Sequence, residues 1–471
     1  MVTSPRARVS NASNTTSESQ AGSSSQGSAS GSKRRGRRSR RVHTSVKPEP
    51  GLEHQDLDTT NHKLAFTGDL PPYNDWSKFI VDHERSHLYV YGGTRPGDIL
   101  NTPTNDLYRC DMNTLVWTNL TNSVRLFFPS GSADADAIPV RAHAAATFMK
   151  HDNCRYLVLF GGFSPKESCI SPTLVFLDVD SLVWTLVTPK PLPAPEPLEL
   201  QGRIHAAIVA VRNQIFIFGG ISKFEGEPLR TFCVAELQAG VWSWVIYNRE
   251  YPPEVPDLGV YTIATSVYNG ANILLTMGRP STRERISLSA NTSVLFHTTH
   301  HEFQCESSTR GEFPKGAGWY EICSLSRGLP CRPLAPPPTP PKPRGRPPRK
   351  PVLRPQTSEH RPLVLPAPPL AHHPPFAERA IICAWVPIAE GSDFVPDFWL
   401  YTLPPVKEVC CLNVREYIMD LDLRLEAFVV VGERIFMLGF DGPEDDSQSD
   451  GPNAEGVYNM CVEVRFEDLE A

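Results

Sequence analysis

Three short runs of aliphatic and aromatic residues end in a pair of glycines: His87-Leu88-Tyr89-Val90-Tyr91-Gly92-Gly93, Tyr156-Leu157-Val158-Leu159-Phe160-Gly161-Gly162 and Gln214-Ile215-Phe216-Ile217-Phe218-Gly219-Gly220. Runs of this kind have strand character, and the glycines mark where the backbone turns back. The pairs begin at 92, 161 and 219, a period of roughly 58 to 69 residues that is too long for one hairpin and suits a four-stranded unit with its loops. Each pair is followed by an acidic residue and, six positions later, a tryptophan: Asp111 and Trp117, Asp178 and Trp184, Glu236 and Trp242. Two units open alike on the preceding strand, Arg141-Ala142-His143-Ala144-Ala145 and Arg203-Ile204-His205-Ala206-Ala207. Four strands joined by turns predict one twisted antiparallel sheet per repeat.

These residue types have physical reasons. A glycine pair at a strand end takes positive φ and turns back where side chains would collide, near the crowded centre of a radial array. The tryptophan lays a large ring against an adjoining sheet, a contact no isolated unit can make, and that need drives the units to stack into a ring. Asp111 and Asp178, each just ahead of a turn, are expected to accept backbone N–H bonds and do no chemistry.

Glycine doublet, acid and tryptophan in this order resemble the kelch repeat over these three units. The resemblance implies an all-β fold, a kelch-type β-propeller of four-stranded blades. The family usually places an aromatic residue seven positions before the tryptophan, where this sequence has Cys110, Leu177 and Ala235, so the repeats are divergent. A fourth unit keeps one glycine in Asn272-Ile273-Leu274-Leu275-Thr276-Met277-Gly278, with His297 at the acid position and Phe303 at the tryptophan position. A fifth begins near residues 316–320 and resumes at 380–385 and 398–401 after an insertion. A sixth has 427–431, 434–439 and 457–466 but lacks an outer strand, which residues 62–67 supply from the other end. Kelch propellers close by such a join, and closure removes exposed strand edges. Six blades are expected, with five and seven as alternatives.

Two stretches break the pattern. Residues 1–61 are rich in Ser, Gly, Thr and Asn with almost no large apolar residue, so they cannot offset the entropy of ordering and are expected to be disordered. Residues 329–378 are dominated by proline and should sample polyproline conformations without a core. The predicted organisation is a tail at 1–61, blades 1 to 4 and the start of blade 5 at 62–328, the insertion at 329–378, and the rest of blade 5 and blade 6 at 379–471. Residues 1–60 hold ten Lys/Arg against five Asp/Glu and the insertion eight against two; with −6 on the whole chain, the remainder carries −17. An acidic body with two basic arms results, and the arms reach anionic partners that the body repels.

The 11 cysteines are scattered without a Cys-x-x-Cys pair and fit the reduced thiols of a cytosolic or nuclear protein. A polar N-terminus and the lack of any apolar window of about 18 residues argue against secretion and membrane association. The sequons at Asn11, Asn14, Asn119 and Asn291 then read as coincidences.

No phosphate-cradling glycine loop, nucleophile elbow, paired-histidine zinc helix or Cys/His metal spacing occurs in a credible context, so no catalytic residue, cofactor or metal is expected. His297, His300 and His301 have the spacing nearest to a metal site, but strand alternation sends neighbours to opposite faces. His143 and His205 recur at one repeat position, which points to a structural role. The rival reading is an enzyme of galactose-oxidase-like architecture, with unusual polar side chains converging where the glycine turns meet, among Tyr91, Arg95, His143 and His205.

Two basic motifs remain. Lys33, Arg34, Arg35, Arg37, Arg38, Arg40 and Arg41 pack seven cations into nine residues, which reads as a nuclear-import signal or polyanion-binding patch, or as a plain solvated charge run. The segment Lys342-Pro343-Arg344-Gly345-Arg346-Pro347-Pro348-Arg349-Lys350 resembles an AT-hook. That resemblance implies minor-groove contact by the core Arg344, Gly345, Arg346 and Pro347, with Arg349 and Lys350 on phosphates. Residues 337–342 equally suit a polyproline ligand, and the whole stretch also reads as a linker. The expected protein is a monomeric, non-enzymatic scaffold or adaptor, nuclear or cytoplasmic with the nucleus favoured. Its ring offers a loop face to a protein partner, and its basic segments touch A·T-rich DNA or another polyanion.

Overall fold

The computed structural model describes residues 63–95, 102–127, 140–164, 169–190, 201–223, 226–258, 261–279, 293–305, 311, 313, 319–325, 363–365, 378–387, 394–404, 407–412, 424–432, 434–440 and 457–466. All of them belong to one compact unit, Leu57–Ala471. The glycine-ended runs are strands, and Leu88 to Tyr91, Leu157 to Phe160 and Ile215 to Phe218 are buried at every position. A strand covered on both faces has no solvent side, which is why these runs are continuously apolar where a half-exposed strand would alternate.

The strands form a six-bladed β-propeller. Blade 1 runs from the hub outward as Lys78–Asp82, His87–Tyr91, Leu107–Asp111 and Val116–Asn119. Blade 2 is Ala145–His151, Cys154–Phe160, Leu174–Asp178 and Val183–Val187. Blade 3 is Ala207–Val211, Gln214–Phe218, Thr231–Gln238 and Val241–Glu250. Blade 4 is Tyr261–Val267, Asn272–Arg279, Ser293–His297 and Glu302–Cys305. Blade 5 is Trp319–Leu325, Arg379–Pro387, Phe394–Thr402 and Glu408–Cys411, so the insertion falls between its first two strands. Blade 6 is Arg424–Val431, Arg434–Phe440 and Met460–Phe466, completed by Lys63–Ala65 antiparallel to Met460–Phe466. The ring therefore closes by the join of distant strands that the sequence predicts.

Six hydrophobic clusters hold the ring, one between each pair of neighbouring blades. Trp117 packs on blade 6 beside Phe66 and Phe436, and Trp184 packs on blade 1 beside Tyr91. In blade 3 the sequence points to Trp242, and the structure corrects this to Trp244. Trp117 pairs across the outer hairpin with Cys110, and Trp184 with Leu177, each the residue just before the acid. The corresponding residue, Ala235, pairs with Trp244, because the blade 3 hairpin is two residues longer. Trp244 is buried, whereas Trp242 is half-exposed and lies on Phe176. Phe303 pairs with Phe296 and so holds the tryptophan position in blade 4. The Nε1 atoms of Trp117, Trp184 and Trp244 find no hydrogen-bond partner among the described residues, so the indoles serve as apolar plates and a phenyl ring can replace one.

The sequence does not announce how the outer edges are covered. The segment entering a blade passes along that blade's outermost strand: Thr67–Gly68 pairs in parallel with blade 1 and Arg125–Phe127 with blade 2. Lys190 bridges in parallel to Ser243 of blade 3. Such cover blunts the open edge that every blade would otherwise present. Within the stretch expected to lack structure, Leu363–Leu365 pairs in parallel with Met460–Phe466.

Candidate functional site

The hub is built from the repeat residues. All six glycines of the three pairs have positive φ. Gly161 shows why: its φ is +71°, and a Cβ there would stand 1.9 Å from the Arg203 carbonyl oxygen of the next blade. That carbonyl accepts the Gly162 N–H at 2.8 Å, so the turn of one blade is bonded to the entry of the following one. The arginines that open blades 2 and 3 reinforce their own turns. Arg141 donates to the Gly161 carbonyl at 3.0 Å and to Thr173 Oγ1 at 2.9 Å. Arg203, wholly buried, donates to the Gly219 and Thr231 carbonyls at 2.9 and 3.0 Å and to Thr231 Oγ1 at 2.8 Å. In blade 1 the same position is Asn74, whose Nδ2 donates to the Gly92 carbonyl at 3.3 Å.

At the opposite face, Asp111 Oδ1 accepts the Asn113 N–H and Asp178 Oδ1 those of Asp180 and Ser181, as expected. Glu236 differs: its longer side chain accepts from the amides of Asn213 and Gln214.

Two residues after Asn74, Arg141 and Arg203 stand Trp76, His143 and His205, with φ of 65°, 57° and 57°. Positive φ costs a residue with a Cβ roughly 1–2 kcal/mol, and here three successive blades hold it. The result is a cluster at the axial mouth of the ring, on the face of the glycine turns. The His143 and His205 rings are 4.5 Å apart, and Trp76 lies 5.2 and 5.4 Å from them. Tyr261, opening blade 4, sits 4.1 Å from His205 and stacks on Trp76 at 5.6 Å and 10°. Trp76 is 40% exposed, unusual for an indole among otherwise packed rings. Burial, and secondarily the Lys78 ammonium, push the His143 imidazole down to about 4, so it is neutral at physiological pH.

Below the mouth, Lys78 of blade 1 and Glu321 of blade 5 act on each other electrostatically. Both retain some accessible surface, as lumen side chains do, while protein surrounds them. Burial pushes the Glu321 carboxyl up to about 8, against the pull of Lys78 and a Phe428 backbone hydrogen bond, and it lowers Lys78. Cys110, Cys154, Cys233, Cys323, Cys383 and Cys461 are thiols outside any disulfide. Burial pushes Cys323 and Cys461 up to about 12, so both thiols are protonated at physiological pH.

Of the four residues named for a convergent polar site, the structure brings His143 and His205 together and does not bring Tyr91, which is buried against Trp184. Arg95 is exposed beside the blade 1 turn. Sequence reasoning missed Trp76 and Tyr261. Aligning Asn74-Asp75-Trp76-Ser77-Lys78 with Arg141-Ala142-His143-Ala144-Ala145 finds the first; a bulge after Tyr261 hides the second. His297 and His300 lie 4.5 Å apart, whereas His301 packs on Phe216 and Phe296, so the three imidazoles do not share a focus.

No protein-family model matches the chain, and no curated protein matches it. The cationic run from Lys33 to Arg41 and the core from Arg344 to Pro347 lie outside the described residues. Among the described residues, no helix is long and apolar enough to cross a membrane.

Proposed function

We propose that the chain is a non-enzymatic, monomeric kelch-type propeller that works as a protein-binding scaffold, with the glycine-turn face and its Trp76 cluster as the binding surface. The observation that carries this is the 40% exposure of Trp76 at the meeting point of four blades. A rigid ring that holds an indole open to solvent on strained backbone presents the kind of anchor that dominates protein interfaces. The two imidazoles pack on rings of the same cluster, which supports a contact surface over a proton-transfer pair. The kelch assignment is supported by the glycine pair, acid and indole in the same order in blades 1 to 3, with Trp244 as the third indole. The test is affinity capture by the full-length protein from nuclear extract, beside Trp76→Ala and, on the opposite face, Glu84→Ala. Recovery of a specific partner should fall at least about tenfold for Trp76→Ala alone; equal recovery by all three sinks the reading.

The protein acts in the nucleus on this reading, drawn there by the Lys33–Arg41 run, and its Arg344-Gly345-Arg346-Pro347 core adds weak attachment to A·T-rich DNA. What supports this is the concentration of positive charge in segments attached to an acidic body. In a salt titration against A·T-rich duplex, Arg344→Ala/Arg346→Ala should weaken binding about tenfold or more and make the salt slope shallower. Unchanged affinity would remove the DNA contact from the proposal.

A further inference from the structure

We propose that the axial mouth takes an arginine side chain of a basic peptide, the guanidinium lying on the Trp76 ring with its N–H groups reaching the carboxylates of Asp75 and Glu426. This rests on reading the glycine-turn face as the partner-binding surface. Trp76 and Tyr261 stack nearly parallel at 5.6 Å, so the cluster is a closed platform with no slot between its rings, and a ligand lies on it. A flat π face attracts a planar, weakly hydrated cation above other side chains.

At Asp75, the residue before Trp76, Oδ1 accepts the Tyr73 hydroxyl at 2.8 Å, and that hydroxyl lies 3.4 Å from Glu426 Oε2. The single hydroxyl proton serves Asp75 with the Glu426 carboxylate alongside, so two carboxylates stand close together, and a guanidinium with five donors in a fixed fork can serve both at once. Lys78, within the lumen, is an opposing cation whose charged form burial disfavours, and the neutral His143 adds no opposing charge at pH 7. Arg95 and Lys223, each exposed just past its own blade's glycine turn, are cations that an incoming arginine must avoid. The −17 carried outside the two basic stretches draws such a peptide in from a distance.

The experiment measures fluorescence anisotropy of a labelled nine-residue Gly/Ser peptide carrying three arginines, and of the same peptide with citrulline at those positions, against full-length protein. The arginine peptide should bind at least about tenfold more tightly than the citrulline peptide. Trp76→Ala should lose about tenfold, Trp76→Phe, which keeps a π face, less than about threefold, and Asp75→Asn/Glu426→Gln about tenfold with a flatter salt dependence. Equal binding of the two peptides, or wild-type binding by Trp76→Ala, overturns the proposal. If Trp76→Ala abolishes capture of the protein partner while arginine and citrulline peptides bind alike, the ligand class falls and the binding face stands. If Trp76→Ala leaves capture intact, both fall.

Discussion

Gly161→Ala is expected to lower the stability of the ring by about 3–5 kcal/mol, read as a shift of the guanidinium midpoint followed by near-UV circular dichroism. Two costs add. An alanine at φ +71° loses roughly 1–2 kcal/mol on backbone conformation alone. The new methyl also meets the Arg203 carbonyl oxygen at 1.9 Å, a backbone atom that cannot rotate aside. Relief requires blades 2 and 3 to separate at the hub, which breaks the Gly162 N–H to Arg203 carbonyl bond. Gly240 is the control: its φ is +78° and a methyl there would meet nothing within 4 Å, so Gly240→Ala should cost only the conformational part, about 1–2 kcal/mol. Equal losses at the two sites would refute the close-approach explanation.

Arg203→Met is expected to cost about 3–5 kcal/mol by the same measurement. The guanidinium is fully buried and serves the Gly219 carbonyl, the Thr231 carbonyl and hydroxyl, and Asn248 Oδ1 at 2.5 Å. Methionine fills most of the volume and leaves those acceptors without this donor in a dry site, so the loss is the desolvation of the abandoned oxygens. Arg203→Lys keeps a charge but not the planar fork that reaches both carbonyls and both side chains, so it should recover less than half of the loss. A change below about 1 kcal/mol in Arg203→Met would mean that the turn of blade 3 is held by its glycines alone.

The ring is legible in the sequence because its physics repeats. Continuous apolar runs ending in glycine pairs signal strands covered on both faces, and a contact surface that no single unit can satisfy forces a closed array. Even the decayed blade 4 is readable, since Phe303 does the apolar work of an indole whose N–H, in its sister blades, bonds nothing among the described residues. Legibility fails where spacing and pairing part company. Trp242 keeps the six-residue distance from Glu236, but a longer hairpin gives the interface to Trp244. The mouth is half visible. His143 and His205 stand out because they repeat, whereas Trp76 shares their repeat position without their residue type and a bulge after Tyr261 takes that ring out of register.

The pairing of Lys63 with Val462 has a consequence for how the protein is made. Blades 1 to 5 can emerge from the ribosome and stack in order, but the clasp waits for a partner almost four hundred residues downstream. Until translation reaches it, the first segment has no sheet to join and blade 1 shows one apolar flank to solvent, a surface for chaperones to guard. A chain cut before Met460 would lack the one strand that pairs with both Lys63–Ala65 and Arg434–Phe440, so the circle depends on a segment delivered after all the other blades.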